Sequence, residues 1–202
     1  MKIHAIHSAT TGAMLFEGRY GSFTECVEQA VQLRVLLNGA DLRNRNLSNA
    51  CLDDGLFAGA DFSGSNLTGA NLSETSMPGA SFENADLYNT CFAYADLRGC
   101  RFNNANFGAT NITRADISQA HFAALSCFSL DFIHTAAMKN CRFSDKEGAE
   151  FTFSEPPVVI RGMSRRLTVL TDGFWLHGTV VIPYEEQLLH LPSPAEMAEF
   201  TG

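Results

Sequence analysis

No stretch of this sequence approaches the roughly 18 consecutive apolar residues that a membrane-spanning helix needs. Its first residues, Met1-Lys2-Ile3-His4-Ala5-Ile6-His7, lack the long apolar core of a secretory signal. These two absences lead to the expectation of a cytoplasmic protein. Basic residues are scarce: 14 lysines and arginines stand against 22 acids, for a formal net charge of −8. Direct nucleic-acid binding is therefore not expected, because that affinity comes mainly from neutralising phosphates. The six cysteines (Cys26, Cys51, Cys91, Cys100, Cys127, Cys141) include no CxxC pair and read as free thiols of a reducing compartment. Catalytic motifs are missing too. There is no GxSxG, no P-loop, no HExxH and no GxGxxG after a strand, so neither an enzyme nor a cofactor is expected. His121, Cys127, His134 and Cys141 fall in one stretch, but their spacing matches no structural zinc pattern, so no metal is expected either. The adjacent acids Asp53 and Asp54 read as a solvated corner rather than an acid–base pair. The one tryptophan, Trp175, reads as an anchor of a C-terminal core.

What the sequence has in abundance is a beat of five. From Leu42 to Phe122, every fifth residue is large and apolar, 17 in all. The residue two before each is small in 16 of the 17 units, Arg45 being the exception. The residue between them is Asp or Asn in 10 units, such as Asp41, Asn46, Asp61 and Asn66. Five matches neither the period of two of a strand nor the 3.6 of a helix. A small and a large residue two apart can share one side of a short extended segment. The last two positions favour Ser, Thr, Arg, Gly and Asn, which suits a tight corner. Each unit therefore reads as a short strand and a turn, two residues in and three out, and repeated turning stacks into a coil with a continuous core. Periodicity leaves the number of sides open. Twenty residues per coil would stack Phe62, Phe82, Phe102 and Phe122, whereas fifteen would stack Phe62, Met77, Phe92, Phe107 and Phe122.

Units such as Ala40-Asp41-Leu42-Arg43-Asn44, Ala60-Asp61-Phe62-Ser63-Gly64, Ala70-Asn71-Leu72-Ser73-Glu74 and Ala95-Asp96-Leu97-Arg98-Gly99 resemble the A-(D/N)-(L/F)-x-x signature of the pentapeptide repeat proteins. The resemblance covers roughly residues 36–135. It implies an all-β solenoid: a right-handed, four-sided parallel β-helix of about four to five coils.

The flanks read as caps, which a solenoid needs because its open ends are exposed strand edges. Residues 1–35 carry two strand-like segments, Ile3 to Ile6 and Ala13 to Phe16, and a capping box at Ser22 and Glu25 that starts a helix running to about Arg34. Residues 36–145 form the repeat, whose beat decays past Phe122. There Cys127, Phe132 and Ala137 fall on centre positions, while Phe128 and Ile133 turn outward. Residues 146–202 hold three short strand signals around 157–160, 167–170 and 178–182, a turn at Asp172-Gly173, and a second capping box at Ser193 and Glu196.

The inward positions specify a core, so any function must lie in the outward positions and the caps. Two readings follow. The first is an acidic mimic of DNA that inhibits a DNA-handling protein. It rests on the acid surplus of the repeat and on a distant resemblance to quinolone-resistance pentapeptide proteins, whose known target implies gyrase, another topoisomerase, or a nuclease or defence complex as partner. Asp41, Asp53, Asp54, Asp61, Glu74, Asp86, Asp96 and Asp116 are the candidate acidic surface. The second is a phage- or prophage-encoded scaffold that binds a host protein through the repeat faces and the C-terminal cap. Leu56, Tyr88, Tyr94, Phe128 and Ile133 are candidate contacts with that partner, or with a second copy in a homodimer; for Phe128 and Ile133 burial under the C-terminal segment is the equal alternative.

Overall fold

The structure is a computed structural model that describes residues 1–160 and 167–184. Parallel bridges join Leu36 to Leu56, Asp41 to Asp61, Asn46 to Asn66 and Cys51 to Asn71, and the series continues through Asp96 to Asp116. Each partner lies twenty residues on, so one turn of the coil takes four five-residue units and the fifteen-residue alternative is set aside. Along the ladder, Leu42 N–H donates to Asp61 C=O at 2.9 Å and Asp61 N–H donates to Ala40 C=O at 2.9 Å. Most units also close on themselves. Ala50 N–H donates to Leu47 C=O at 3.1 Å across a turn in which Asn49 takes a φ of 57°.

This geometry explains the choice of Asp or Asn beside each centre. The side chain accepts the backbone N–H two residues on, as from Ser63 to Asp61 Oδ1 at 2.9 Å and from Thr68 to Asn66 Oδ1 at 2.9 Å. Short carboxylates and amides bond their own backbone in just this way and so favour the turn. Inside, the centres from Leu42 to Phe122 are buried, and Phe62, Phe82, Phe102 and Phe122 stack one turn apart with ring centroids 5.1–5.3 Å from each other. Where a hydroxyl or thiol fills the small inward slot, it donates to a carbonyl: Ser65 to Phe62, Thr75 to Leu72, Thr90 to Leu67 and Cys100 to Met77. No buried donor is left orphaned there.

At the N-terminal end, β1 (Lys2–His7) pairs antiparallel with β2 (Met14–Tyr20), and α1 (Phe23–Gln32) follows. Ser22 Oγ accepts from Glu25 N–H at 3.0 Å, and Glu25 Oε2 reaches back to Gly21 N–H at 2.8 Å rather than to the N-cap amide itself. These segments meet the open edge of the first turn. Asp41 N–H donates to His7 C=O, Ala9 N–H to Gly39 C=O, and Thr24 Oγ1 to Asn46 C=O, while Glu28 Oε1 accepts from Cys51 N–H. Each supplies a partner that a preceding coil would otherwise provide. The helix buries Cys26, Val27, Ala30 and Val31.

Past Phe122 the coil departs from the beat read in the sequence. Ala136 N–H donates to Ala115 C=O, while Ile117 N–H donates to Ala137 C=O, so Ala136 and Ala137 together face Asp116 as a β-bulge. The register slips by one residue. Met138 and Phe143 are buried, where the beat would place Ala137 and Arg142. Two 3₁₀ segments, Leu125–Ser129 and Phe132–His134, replace regular sides. Ser126 Oγ and Ser129 Oγ donate to Ala105 C=O and Phe107 C=O, taking over from the amides that a regular coil would present.

The ladder then runs β3 (Arg101–Phe102), β4 (His121–Phe122) and β5 (Cys141–Ser144) in parallel, and ends on antiparallel β6 (Glu150–Phe153). Beyond it lies an antiparallel sheet of β7 (Val158–Ile160), β8 (Thr168–Leu170), β9 (Phe174–His177) and β10 (Val180–Pro183), in spatial order β10-β9-β8-β7. Strand β9 carries no signal beyond Trp175 in the sequence reading. Phe174 joins the sheet to the shaft through Phe143, Phe151 and Phe153, with ring centroids 5.6–6.0 Å away. The capping box at Ser193 and Glu196 lies outside the described residues. Among the described residues no helix is long and apolar enough to cross a membrane.

Candidate functional site

The outward surface of the shaft is a set of rows, one side chain per turn, spaced by about 4.8 Å. The eight candidate acids do not share a row, and most are already engaged. Asp41, Asp61, Asp86, Asp96 and Asp116 accept backbone N–H groups two residues on, which makes them parts of turns. Arginines neutralise several. Arg43 binds Asp41 at 2.8 Å and lies 3.7 Å from Asp61, Arg98 binds Asp96 at 2.7 Å, and Arg34 binds Asp54 at 3.3 Å. The Arg43 and Arg98 guanidiniums hold the Asp41 and Asp96 carboxyls below the usual aspartate range. Only Asp53 and Glu74 of the eight have neither a turn bond nor an ion pair.

The candidate contact residues divide. Tyr88, Tyr94 and Ile133 are exposed, Tyr94 at 61 %. Tyr88 lies across Gly108, at which any added Cβ would meet its ring. Leu56 is half-buried in a row with exposed Leu36, and α1 is tied to the neighbouring sides at Asn46 and Cys51. Phe128 corrects the sequence reading: it is buried, not outward, because the 3₁₀ segment turns its ring inward against Phe143 at 5.2 Å. Trp175 is only half-buried, and Phe174 takes the inner place beside it.

One corner of the shaft differs from the other three. The last residue of each unit takes left-handed backbone, with φ between 54° and 72° from Asn44 to Gln119. On three corners this position is mostly Gly or Asn, as at Asn44, Gly64, Asn84 and Asn104. The fourth corner holds Arg34, Asp54, Glu74, Tyr94 and Arg114, at φ of 56–61°, without a single Gly or Asn. Left-handed backbone costs an ordinary residue about 1–2 kcal/mol. Glu74, Tyr94 and Arg114 bear that cost in succession, and among the described residues none of the three makes a side-chain hydrogen bond, ion pair or ring contact. Sequence reading picked Tyr94 for its exposure. The four-sided expectation already aligns it with Asp54, Glu74 and Arg114, and the backbone ladder sets these residues one turn apart.

The cysteine and histidine stretch resolves into separate environments. Burial pushes the Cys141 thiol up to about 12 and the Cys127 thiol well above its ordinary range, so both are inert core groups. His134 is exposed and its ring meets Asp131 at 2.7 Å. His121 sits between Arg101 and Arg142 in the β3-β4-β5 ladder, with Nε2 2.6 Å from Ser144 Oγ and 3.7 Å from Glu150 Oε1. Burial first, and then Arg142, hold its pKa below the ordinary value, against an opposing pull from Glu150 and Glu83. The folded protein thus keeps this ring neutral, and the unfolded chain binds the extra proton first. Stability falls as pH drops from about 6.5 towards the depressed folded value, a window above that of the carboxylates. Thermal melts at pH 7.5 and 5.5 are expected to differ less in His121→Gln than in the native protein, and equal losses in both would remove His121 as the cause.

With this geometry in place, the comparisons with known proteins can be read. The family model described as pentapeptide repeats (8 copies) matches residues 56–92, 65–104 and 90–123. This stretch, about a third of the chain, is similar to the pentapeptide repeat family. Solved structures with some likeness to the chain include two described as pentapeptide repeat proteins. A pentapeptide repeat protein from the thylakoid lumen of Arabidopsis thaliana is 26% identical, with 63% of this chain and 73% of that one covered and a TM-score of 0.41. A pentapeptide repeat protein from Nostoc is 28% identical over 46% of this chain and 69% of that one, with a TM-score of 0.33. QnrB1, a plasmid-mediated fluoroquinolone resistance protein, is 16% identical over 56% of this chain and 67% of that one, with a TM-score of 0.37. No curated protein matches the sequence.

Proposed function

We propose that this protein is a non-enzymatic binding module that recognises a protein partner by the shape and side-chain pattern of its shaft, with the hairpin and helix capping one end and the C-terminal sheet the other. Pentapeptide repeat proteins are in general structural or binding proteins. The observation that carries the reading is the employment of the acids. Five of the eight candidates hold turns, and Arg34, Arg43 and Arg98 pair with Asp54, Asp41, Asp61 and Asp96, so the negative charge serves the fold before it can serve a ligand.

A mimic of DNA would need free charges in regular rows, because such competition works by replacing phosphates. That version of the function, with gyrase or a nuclease as target, has in its favour the overall charge of −8 and the two unengaged acids Asp53 and Glu74. It is the weaker reading here.

Immobilised full-length protein, used to capture partners at low salt and again at about 0.5 M salt, separates the two, since screening at that strength removes most surface charge attraction. A partner retained through high salt supports shape recognition. A partner lost at high salt, together with inhibition of a supercoiling or nuclease assay by added protein, supports the mimic. No specific partner under either condition sinks the binding function.

A further inference from the structure

The corner column Asp54, Glu74, Tyr94, Arg114, with His134 continuing it, is the place where the chain abandons its own rule most consistently. Three residues that left-handed backbone disfavours follow one another there, while the other corners rely mostly on Gly and Asn, with Ala109 and Gln119 as single exceptions. Turn chemistry gives no reason for Glu, Tyr and Arg at these sites. Consistent departures from the local rule without compensation inside the molecule mark sites kept for another purpose.

The order of charges along the column says what that purpose is. Glu74 N–H donates to Ala93 C=O, Tyr94 N–H to Thr113 C=O and Arg114 N–H to His134 C=O, so these residues stand one turn apart. Glu74 is therefore one turn to one side of Tyr94 and Arg114 one turn to the other. A two-fold axis perpendicular to the shaft at the level of Tyr94 sets Glu74 of each copy against Arg114 of the other, with the two tyrosine rings meeting on the axis. Beside them, Ser73 faces Thr113, and Ala93 faces its own copy, all small side chains. One turn further out Asp54 faces His134. Asp54 is already paired with Arg34, and the His134 ring with Asp131. Asp96, on the receding neighbouring face, is neutralised by Arg98. The pattern is self-complementary, as an isologous interface requires.

We propose that this corner is a self-association surface on which two copies pair antiparallel through Tyr94, Glu74 and Arg114. The proposal is independent of the partner discussed above. A corner column about five turns long is narrow and lies at the small end of protein interfaces, so the dimer is weak and salt-sensitive.

Sedimentation of the full-length protein from about 1 µM to about 1 mM tests it. The native chain is expected to shift from monomer to dimer across that range. Tyr94→Gly puts at the corner the residue its backbone prefers, so it is expected to fold at least as stably while associating at least about tenfold more weakly. Glu74→Arg alone and Arg114→Glu alone are each expected to weaken the dimer, and the double variant carrying both to restore it. A chain that stays monomeric throughout, or a dimer indifferent to all four variants, overturns the proposal, as does a double variant no better than the single ones.

Discussion

Phe102→Ala is expected to destabilise the protein by about 3–5 kcal/mol. Phe102 is 2% exposed and sits in the middle of the ring stack. It stacks on Phe82 at 5.2 Å and on Phe122 at 5.3 Å, with interplanar angles of 7° and 9°, and it meets Phe92 and Phe107 at 6.4 and 5.6 Å. Removing it deletes a rung from the middle of a column, and the turns above and below are held at the spacing of their backbone ladder. The cavity therefore cannot collapse, which places the cost towards the top of the range. Phe102→Leu keeps most of the volume and is expected to lose less than half as much. Urea melts followed by circular dichroism measure both. A loss below about 1 kcal/mol for the alanine variant would mean that the column can close over the gap and that the stack is not the main support of the shaft.

The second large effect lies at the junction of the shaft with the C-terminal sheet. A Cβ built on Gly173 would stand 1.9 Å from the Thr152 carbonyl oxygen and 3.1 Å from its carbon. Both are backbone atoms of β6, which has no flexible end that could move aside. Gly173→Ala must therefore push the β8–β9 turn away from the shaft. Asp172 then loses the Ser154 and Glu155 amides that its carboxylate accepts, and Phe174 withdraws from Phe143, Phe151 and Phe153. The expected cost is roughly 3 kcal/mol or more, combining overpacking with the unmade hydrogen bonds. Trp175 is the only tryptophan and lies in the affected strand, so its fluorescence should melt before the shaft's circular dichroism in this variant. Gly99→Ala is the control. Its φ is 66° and nothing stands within 4 Å, so it carries only the backbone cost of about 1–2 kcal/mol. Coincident melts of Trp175 and the shaft, with a loss no larger than that of Gly99→Ala, would show that the two parts are not joined at this point.

How far the sequence could be read follows from these residues. The apolar centres from Leu42 to Phe122 and the small slots before them name the core directly, because an inward position tolerates one kind of side chain and repeats it. The capping box at Ser22 and the turn at Asp172-Gly173 were legible for a similar reason: the bonds involved are local. The acids misled in an instructive way. An Asp beside each centre looks like surface charge in a sequence, yet its carboxylate is turned back on its own backbone two residues later.

What the sequence by itself determined is therefore the coil: a repeated unit of strand and corner, whose period comes from interactions within five residues. Only the tertiary structure decided how units meet across turns. The twenty-residue turn, which periodicity left open and the resemblance alone implied, is set by the backbone ladder, and Arg43 reaching Asp61, the bulge at Ala136 and Ala137, and Phe128 turned against Phe143 likewise depend on neighbours outside the unit. A five-residue pattern carries no information about those neighbours, because every unit is free to face any other until the backbone ladder picks one register.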